Sequence, residues 1–179
     1  MGKIKDKLIG KYVNLRDVEV GDSKFILDLR TDNRKSKFLH KTEYNIQAQE
    51  NYIEKYKKID DEYYFIIESK SGEPLGTIRI YDNKPDSFGS GSWLTVKNAP
   101  FVAAIEADYL MKKFGFETLG YNNSHFDVRK KNKKVVDYHK LMGAKIVNEN
   151  DEDYFFVYTK DDFYKRIEQI ENIIKYLAE

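Results

Sequence analysis

The sequence has no cysteine, which excludes disulfides, thiolate zinc sites and cysteine nucleophiles together. Histidine is scarce too: His40, His125 and His139 are the three in the chain. They are too few and too dispersed for a histidine cluster, so no metal is expected. No apolar run reaches the roughly 20 residues that span a bilayer, and the N-terminal MGKIKDKLIGKYV lacks the uninterrupted apolar stretch of a signal peptide. A cytoplasmic protein with no membrane contact is expected. Nor does one sign of charge prevail: 31 Lys and Arg face 30 Asp and Glu, so no overall field favours nucleic acid as a partner.

What is there describes a globular chain. With 41% hydrophobic residues among 179, it is long enough to bury one full core and too short for two comfortable ones. A single domain over residues 1–179 is expected, with its core at about 12–158 and a closing helix at about 160–178.

Gly10 and the alternating Tyr12, Val13 and Leu15 predict a first strand over 12–17. Asp22 or Ser23 suits the cap of a helix whose Phe25, Ile26 and Leu29 share a face. Asn45 suits the start of a second helix, with Ile46, Tyr52, Ile53 and Tyr56 as an apolar stripe. EYYFIIES predicts a strand by its aromatic and β-branched content, SGEP a turn, and LGTIRIY an antiparallel partner. DNKPDSFGSG reads as a loop before strand character resumes at SWLTV.

Pro100 suits the first turn of a helix, in which Ala103, Ala107, Leu110 and Phe114 share a face and Lys112 and Lys113 sit towards the negative end of the dipole. A strand is predicted over 124–129, then a short helix that follows Asn132 and is stopped by Gly143. AKIVN and DYFFVYT form a last strand pair joined by ENDED. Thr159, with Asp162 three residues on, resembles a capping box with Asp in place of Glu, and a final helix follows. Its stripe of Phe163, Ile167, Ile170, Ile174 and Leu177 suits docking on the domain itself or on a second subunit, as in a homodimer.

The resulting order, β-α-α-β-β-β-α-β-α-β-β-α, with SWLTVKNAPFVAAIEADYLMKKFGF followed by VRKKNKKVVDYHKLMGAKI, resembles the GNAT superfamily of acyl-CoA-dependent N-acyltransferases over residues 12–158. In that superfamily a strand ending in VRxxN leads into a helix and an LGF-like turn. Here Asn132, then His139 seven residues later, then Gly143 four further on, stand in VRKKN and MGA. FDVRKxN and the Tyr138 and His139 pair look most like the branch of bacterial surface-polysaccharide enzymes that acylate an amino group on a nucleotide-activated sugar.

The resemblance implies an α+β fold with a central twisted, mixed but mostly antiparallel sheet of about seven strands, flanked by helices and followed here by an extra C-terminal helix. It implies an N-acetyltransferase that uses acetyl-CoA as cosubstrate and acts on the amine of a nucleotide-linked amino sugar by direct attack on the thioester. A protein N-terminus or another small amine is an alternative acceptor, and a non-catalytic module that binds CoA or a nucleotide is the alternative outside enzymes. One departure stands out. The superfamily's cofactor loop carries glycines that let backbone donors approach the pyrophosphate, whereas KNAPFVA has none. Either CoA binds through a modified loop, using amides at Phe101, Val102, Ala103 and Ala104, or it does not bind.

Site roles follow from the same resemblance. The end of the fourth strand offers backbone groups of Leu94, Thr95 and Val96 to the pantetheine. His139 stands where many members carry the tyrosine that protonates the thiolate, and Tyr138 is the neighbouring candidate; adjacent helical positions point about 100° apart, so one of the two faces the thioester. Asn132 either bonds the cofactor or caps its helix. Lys130 and Lys134 are candidates for CoA phosphates, or members of a solvated basic face. For a base, His125 and Asp127 share one strand face and Glu106 and Asp82 lie near the expected cleft, with His125 preferred. Asp82, Arg79 and Trp93 are candidate acceptor contacts.

Overall fold

The computed structural model describes residues 4, 6–32 and 42–178. His40 lies outside them. Among these described residues eight strands form one sheet: β1 (Leu8–Ile9), β2 (Val13–Asp17), β3 (Tyr63–Ser69), β4 (Pro74–Lys84), β5 (Ser87–Thr95), β6 (Asn123–Arg129), β7 (Lys145–Glu149) and β8 (Asp153–Thr159). Their order is β1-β2-β3-β4-β5-β6-β8-β7. Every neighbouring pair is antiparallel except β5 with β6. The expected sheet of about seven strands gains the two-residue β1, which pairs with β2 at the edge and is too short to show a period in sequence.

β3 explains why both faces of the sheet are covered. Tyr63, Phe65 and Ile67 point into the main core, and Tyr64 and Ile66 into a second cluster on the opposite face with Val18, Ile26, Ile53 and Tyr56. Its unbroken apolar run is what a strand buried on both sides requires. The second cluster is roofed by α1 (Ser23–Thr31) and α2 (Ile46–Tyr56), the main core by α3 (Phe101–Lys113), α4 (Lys133–Leu141) and α5 (Lys160–Leu177).

Asn45 caps α2 by accepting the Ala48 N–H at 2.9 Å, and Thr159 caps α5 by accepting that of Asp162 at 3.0 Å. The Asp162 carboxylate pairs with Lys145 at 2.9 Å, which takes it away from the reciprocal half of a capping box. Asp22 occupies the cap position of α1, but its carboxylate is held by the Arg16 guanidinium at 2.7 and 2.8 Å and does not cap. In α2, Ile53 and Tyr56 are buried while Ile46 and Tyr52 face out, which halves the expected stripe. α4 ends at Gly143, whose φ of 99° only glycine adopts without strain.

Two expectations are corrected. Residues 82–91 are strand and turn, not an open loop: β4 runs to Lys84 and β5 starts at Ser87, so the hairpin turns over Pro85 and Asp86 alone. Glycine, proline and asparagine content imitates a loop there because the ladder is irregular, with register shifts that these residues accommodate. α3 is not a one-sided helix. Ile105, Glu106, Asp108, Met111 and Lys112 are buried around its circumference, so its polar side chains must find partners inside the protein. Glu106 accepts the backbone N–H groups of Lys11, Tyr12 and Val13 at 2.7, 2.7 and 2.8 Å, pinning β2 to α3; this removes it from the candidate bases. Lys112 is 2% exposed and pairs with Asp108, so it does not serve as a solvated charge at the helix end.

α5 uses its stripe within the chain. Phe163, Ile170 and Ile174 are buried in the main core, and Tyr109 of α3 donates to Glu171 at 2.6 Å.

Candidate active site

β5 and β6 pair only from Ser87 with Asn123 to Gly89 with His125. Beyond that point they separate, for a local reason. The register of β5 against β4 shifts between Thr77 and Arg79, Ser92 takes a φ of 49°, and its carbonyl accepts Thr77 Oγ1 at 2.8 Å. This bulge bends β5 away, while β6 stays in register with β8 as far as Arg129 and Asp153. The opening is a cleft of about 240 Å³, walled by Ser90, Gly91, Ser92 and Trp93 of β5, by Phe126, Asp127 and Val128 of β6, and by Asn132, Val135 and His139 of α4. A larger groove of about 740 Å³ lies between β1, α3 and α5. Of the residues expected at the site it holds only Glu106, whose carboxylate is taken up by the backbone of residues 11–13, and it has no separation between central strands, so the cleft is the candidate active site.

A polar network forms the inner wall. Asp108 of α3, which also lines the cleft, pairs with Lys112 and accepts the Tyr138 hydroxyl at 2.8 Å. Burial would push the Asp108 carboxyl up, but the charge of Lys112 and the bonds from Lys112 and Tyr138 outweigh it and hold it below the ordinary carboxylate range. Burial, followed by the charge of Asp108 and its hydrogen bond, raises the Tyr138 phenol well above 10. Tyr138 therefore spends its proton on Asp108. His139 is 6% exposed and stacks among Trp93, Phe126, Tyr138 and Phe156 at ring distances of 4.3 to 5.8 Å. Burial first, and then Lys112, pushes its pKa down to about 3, so at neutral pH it is an uncharged imidazole.

The other expected residues divide by location. Asn132 lines the cleft and makes no side-chain cap bond; its carbonyl accepts the Val135 and Val136 N–H groups instead. Trp93 is a wall of the cleft. Leu94 and Thr95 still pair with β4, and Val96 N–H donates to the Leu75 carbonyl at 2.8 Å, so these three lie past the bulge towards α3. At the start of α3, Ala103 N–H already donates to the Pro100 carbonyl at 2.9 Å and Ala104 lies within the helical ladder. That reduces the four expected amide donors to two, Phe101 and Val102, the positions with no intrahelical acceptor. Lys130 is drawn to Glu149 at 2.6 Å and to the Tyr154 ring, whereas Lys134 is exposed with no ion pair among the described residues.

On the opposite face of the sheet, His125 sits at the closed end. Its Nδ1 is 2.7 Å from Ser87 Oγ and its Nε2 3.4 Å from Asp82, which has a φ of 53°. Arg79 is packed among the rings of Tyr52, Tyr64 and Tyr81 and bonded to Glu62 at 3.2 Å. Arg30 and Tyr81 line the cleft and were not anticipated. Asp108 and Lys112 carried a signal that was legible: two opposite charges four apart in an otherwise apolar helix lie on one face and can neutralise each other inside.

The wall also tests the fit of an acyl-CoA. Trp93 Nε1 and His139 Nδ1 are buried in the cleft without hydrogen-bond partners among the described residues, an arrangement that costs free energy unless a bound group completes it. A pantetheine arm, with its alternating amide donors and acceptors and a thioester, has the chemistry to do so. Among the described residues no cluster could hold a metal ion.

Comparison with known proteins agrees with this geometry. The Acetyltransferase (GNAT) domain family matches residues 13–145. Apo FdhC, described as a nucleotide-linked sugar GNAT, is 35% identical over 93% of this chain and 97% of its own, with a TM-score of 0.85. Spermidine N-acetyltransferase from Vibrio cholerae, in complex with CoA and spermine, shares the fold at 15% identity, a TM-score of 0.76, and coverage of 87% of this chain and 99% of its own. A GCN5-related N-acetyltransferase from Brucella melitensis does so at 16% identity and a TM-score of 0.79, over 97% of this chain and 87% of its own. No functionally curated sequence matches. The split between β5 and β6, the network behind it and the family match over most of the chain lead to one conclusion: the chain belongs to the GNAT family and is an N-acetyltransferase.

Proposed function

We propose that this acetyltransferase acts on the amine of a nucleotide-linked amino sugar. The observation that carries the reading is the 35% identity to a nucleotide-linked sugar GNAT along nearly the whole of both chains. No helix among the described residues is long and apolar enough to cross a membrane, and a sugar activated on a nucleotide fits a cytoplasmic step in surface-polysaccharide assembly.

When bound, acetyl-CoA supplies an activated acyl carbon and a thiolate leaving group. The chain supplies the rest. The bulged stretch of β5 and the free edge of β6 would hold the pantetheine, and the Phe101 and Val102 amides would offer positive potential to its phosphates at the start of α3. Trp93 Nε1 is a fixed donor in the wall. His139, held neutral, offers a ring N–H to the departing sulfur without first having to be protonated. Tyr138, committed to Asp108, keeps the helix in register beneath it.

A panel of nucleotide-linked amino sugars, N-terminal peptides and simple polyamines, followed by release of free CoA thiol, tests the acceptor. Turnover of an amino-sugar nucleotide with kcat/KM well above that of the other amines is expected, and a preference for peptides or polyamines would overturn it. On the preferred amine, His139→Ala is expected to lower kcat by roughly 10² with little change in affinity for CoA. His139→Gln, which keeps a neutral donor, is expected to retain more activity. Near-normal turnover of the alanine variant would remove His139 from the chemistry.

A further inference from the structure

We propose that Asp127 is the catalytic residue that receives the acceptor's amino group and takes its proton as it attacks. It is the first residue on its face of β6 after pairing with β5 ends at His125, because successive residues on one face of a strand are two apart. Its side chain is exposed and lines the cleft, while Phe126 and Val128 on either side are buried behind it.

Glycines let Tyr81 and His125 pack close against β5 beside it. A Cβ on Gly91 would come within 2.7 Å of the Tyr81 hydroxyl oxygen, and one on Gly89 within 3.2 Å of His125 Nε2. This face of β5 therefore presents backbone alone, with Tyr81 over it and Asp127 across the opening.

Charge singles out the same residue. Among the described residues three carboxylates line the cleft: Asp108, Asp127 and Asp153. Asp108 is neutralised by Lys112 and bonded by Tyr138, and Asp153 faces Arg129 at 3.5 Å. Asp127 forms no ion pair or hydrogen bond among the described residues, and a substrate ammonium is the cation that would complete it. Arg30 at the same opening is turned to Thr42, which accepts its Nε–H at 2.9 Å. His125, the base expected from sequence, has Ser87 on one ring nitrogen and Asp82 near the other, and stands one step short of the opening. Tyr81 remains a neutral phenol, its pKa raised by burial and then by Asp127 itself, which makes it a donor and not a competing base.

The step balances. The acceptor arrives as an ammonium, and one proton passes to the Asp127 carboxylate and on to water. The freed nitrogen pair forms the new C–N bond, the C–S bond breaks with its electron pair on sulfur, and the second amine proton ends on that sulfur. The products are an N-acetyl amide, free CoA thiol and one proton released to solvent.

The inference rests on the N-acetyltransferase reaction and not on the sugar, so it is read on whichever amine the acceptor panel prefers. For Asp127→Asn, kcat/KM for that amine near pH 7 is expected to fall roughly 10²-fold or more. KM for acetyl-CoA and the thermal midpoint should stay close to wild type, because the residue is exposed and faces the amine. The deficit should shrink as pH is raised and the amine deprotonates by itself, and Asp127→Glu should recover part of it. A kcat/KM for Asp127→Asn within about threefold of wild type, or a loss that is equal at every pH, would overturn the assignment. Preference for an amine other than a sugar would overturn the acceptor and leave the role of Asp127 standing.

Discussion

Asp108→Ala is expected to cost about 3–5 kcal/mol of folding stability, the range for breaking a buried ion pair from one side. The reason is what it leaves behind. Lys112 is 2% exposed, and apart from Asp108 its ammonium meets the faces of Phe126 and Tyr158, at 5.4 and 5.5 Å. A cation–π contact offsets a small part of the desolvation of an ammonium, so without the carboxylate the charge has either to be lost or to drag water into the core. The Tyr138 hydroxyl loses its acceptor in the same substitution. Removing both charges avoids the problem: Asp108→Leu with Lys112→Met is expected to recover most of the loss, because apolar residues of similar volume replace a buried pair at little cost. Urea unfolding of Asp108→Leu, Lys112→Met and the double variant measures the coupling directly. A loss below about 1 kcal/mol for Asp108→Ala would mean that Lys112 is not charged in the folded protein.

That pair also marks the boundary between what the sequence made legible and what it hid. β3 was readable because a strand covered on both faces must be apolar throughout, and EYYFIIES is. α4 was readable because its start and stop are local: the strand before Asn132 ends, and Gly143 supplies the positive φ that ends the helix. The β4–β5 hairpin was hidden because its glycines serve close packing, with Tyr81 lying where a Gly91 side chain would be, and such contacts leave the same composition as a loop. In the site, the position of His139 followed from spacing to Asn132 and Gly143, but its state did not. Whether an imidazole is charged depends on what surrounds it in space, and Phe126, Phe156 and Lys112 come from three other elements. Asp127 was visible as the neighbour of His125 on one strand face. Only the point where β5 leaves β6 decides which of the two meets the opening.

His139 should make the fold sensitive to mild acid. Its folded pKa is about 3 against an ordinary 6.5, so between those values the unfolded chain binds a proton that the native protein refuses. Stability from this group is complete above pH 6.5 and is lost as pH falls, at about 1.4 kcal/mol per unit. The expected loss is about 2 kcal/mol between pH 7 and pH 5, in a window that lies above the titration of ordinary carboxylates. Asp108 acts further down: held below the carboxylate range, it contributes its own loss only as pH falls through that lower region. His139→Phe, which fills the aromatic pocket without a titrating group, is expected to flatten the profile between pH 7 and pH 5. Urea midpoints for the wild type and the variant at pH 5, 6 and 7 check this, and parallel profiles would show that His139 is protonated or solvated in the native state. The outcome bears on catalysis as well. An imidazole that stays neutral through this range contributes no acid limb of its own to kcat, so a limb that does appear has to come from the groups around the amine.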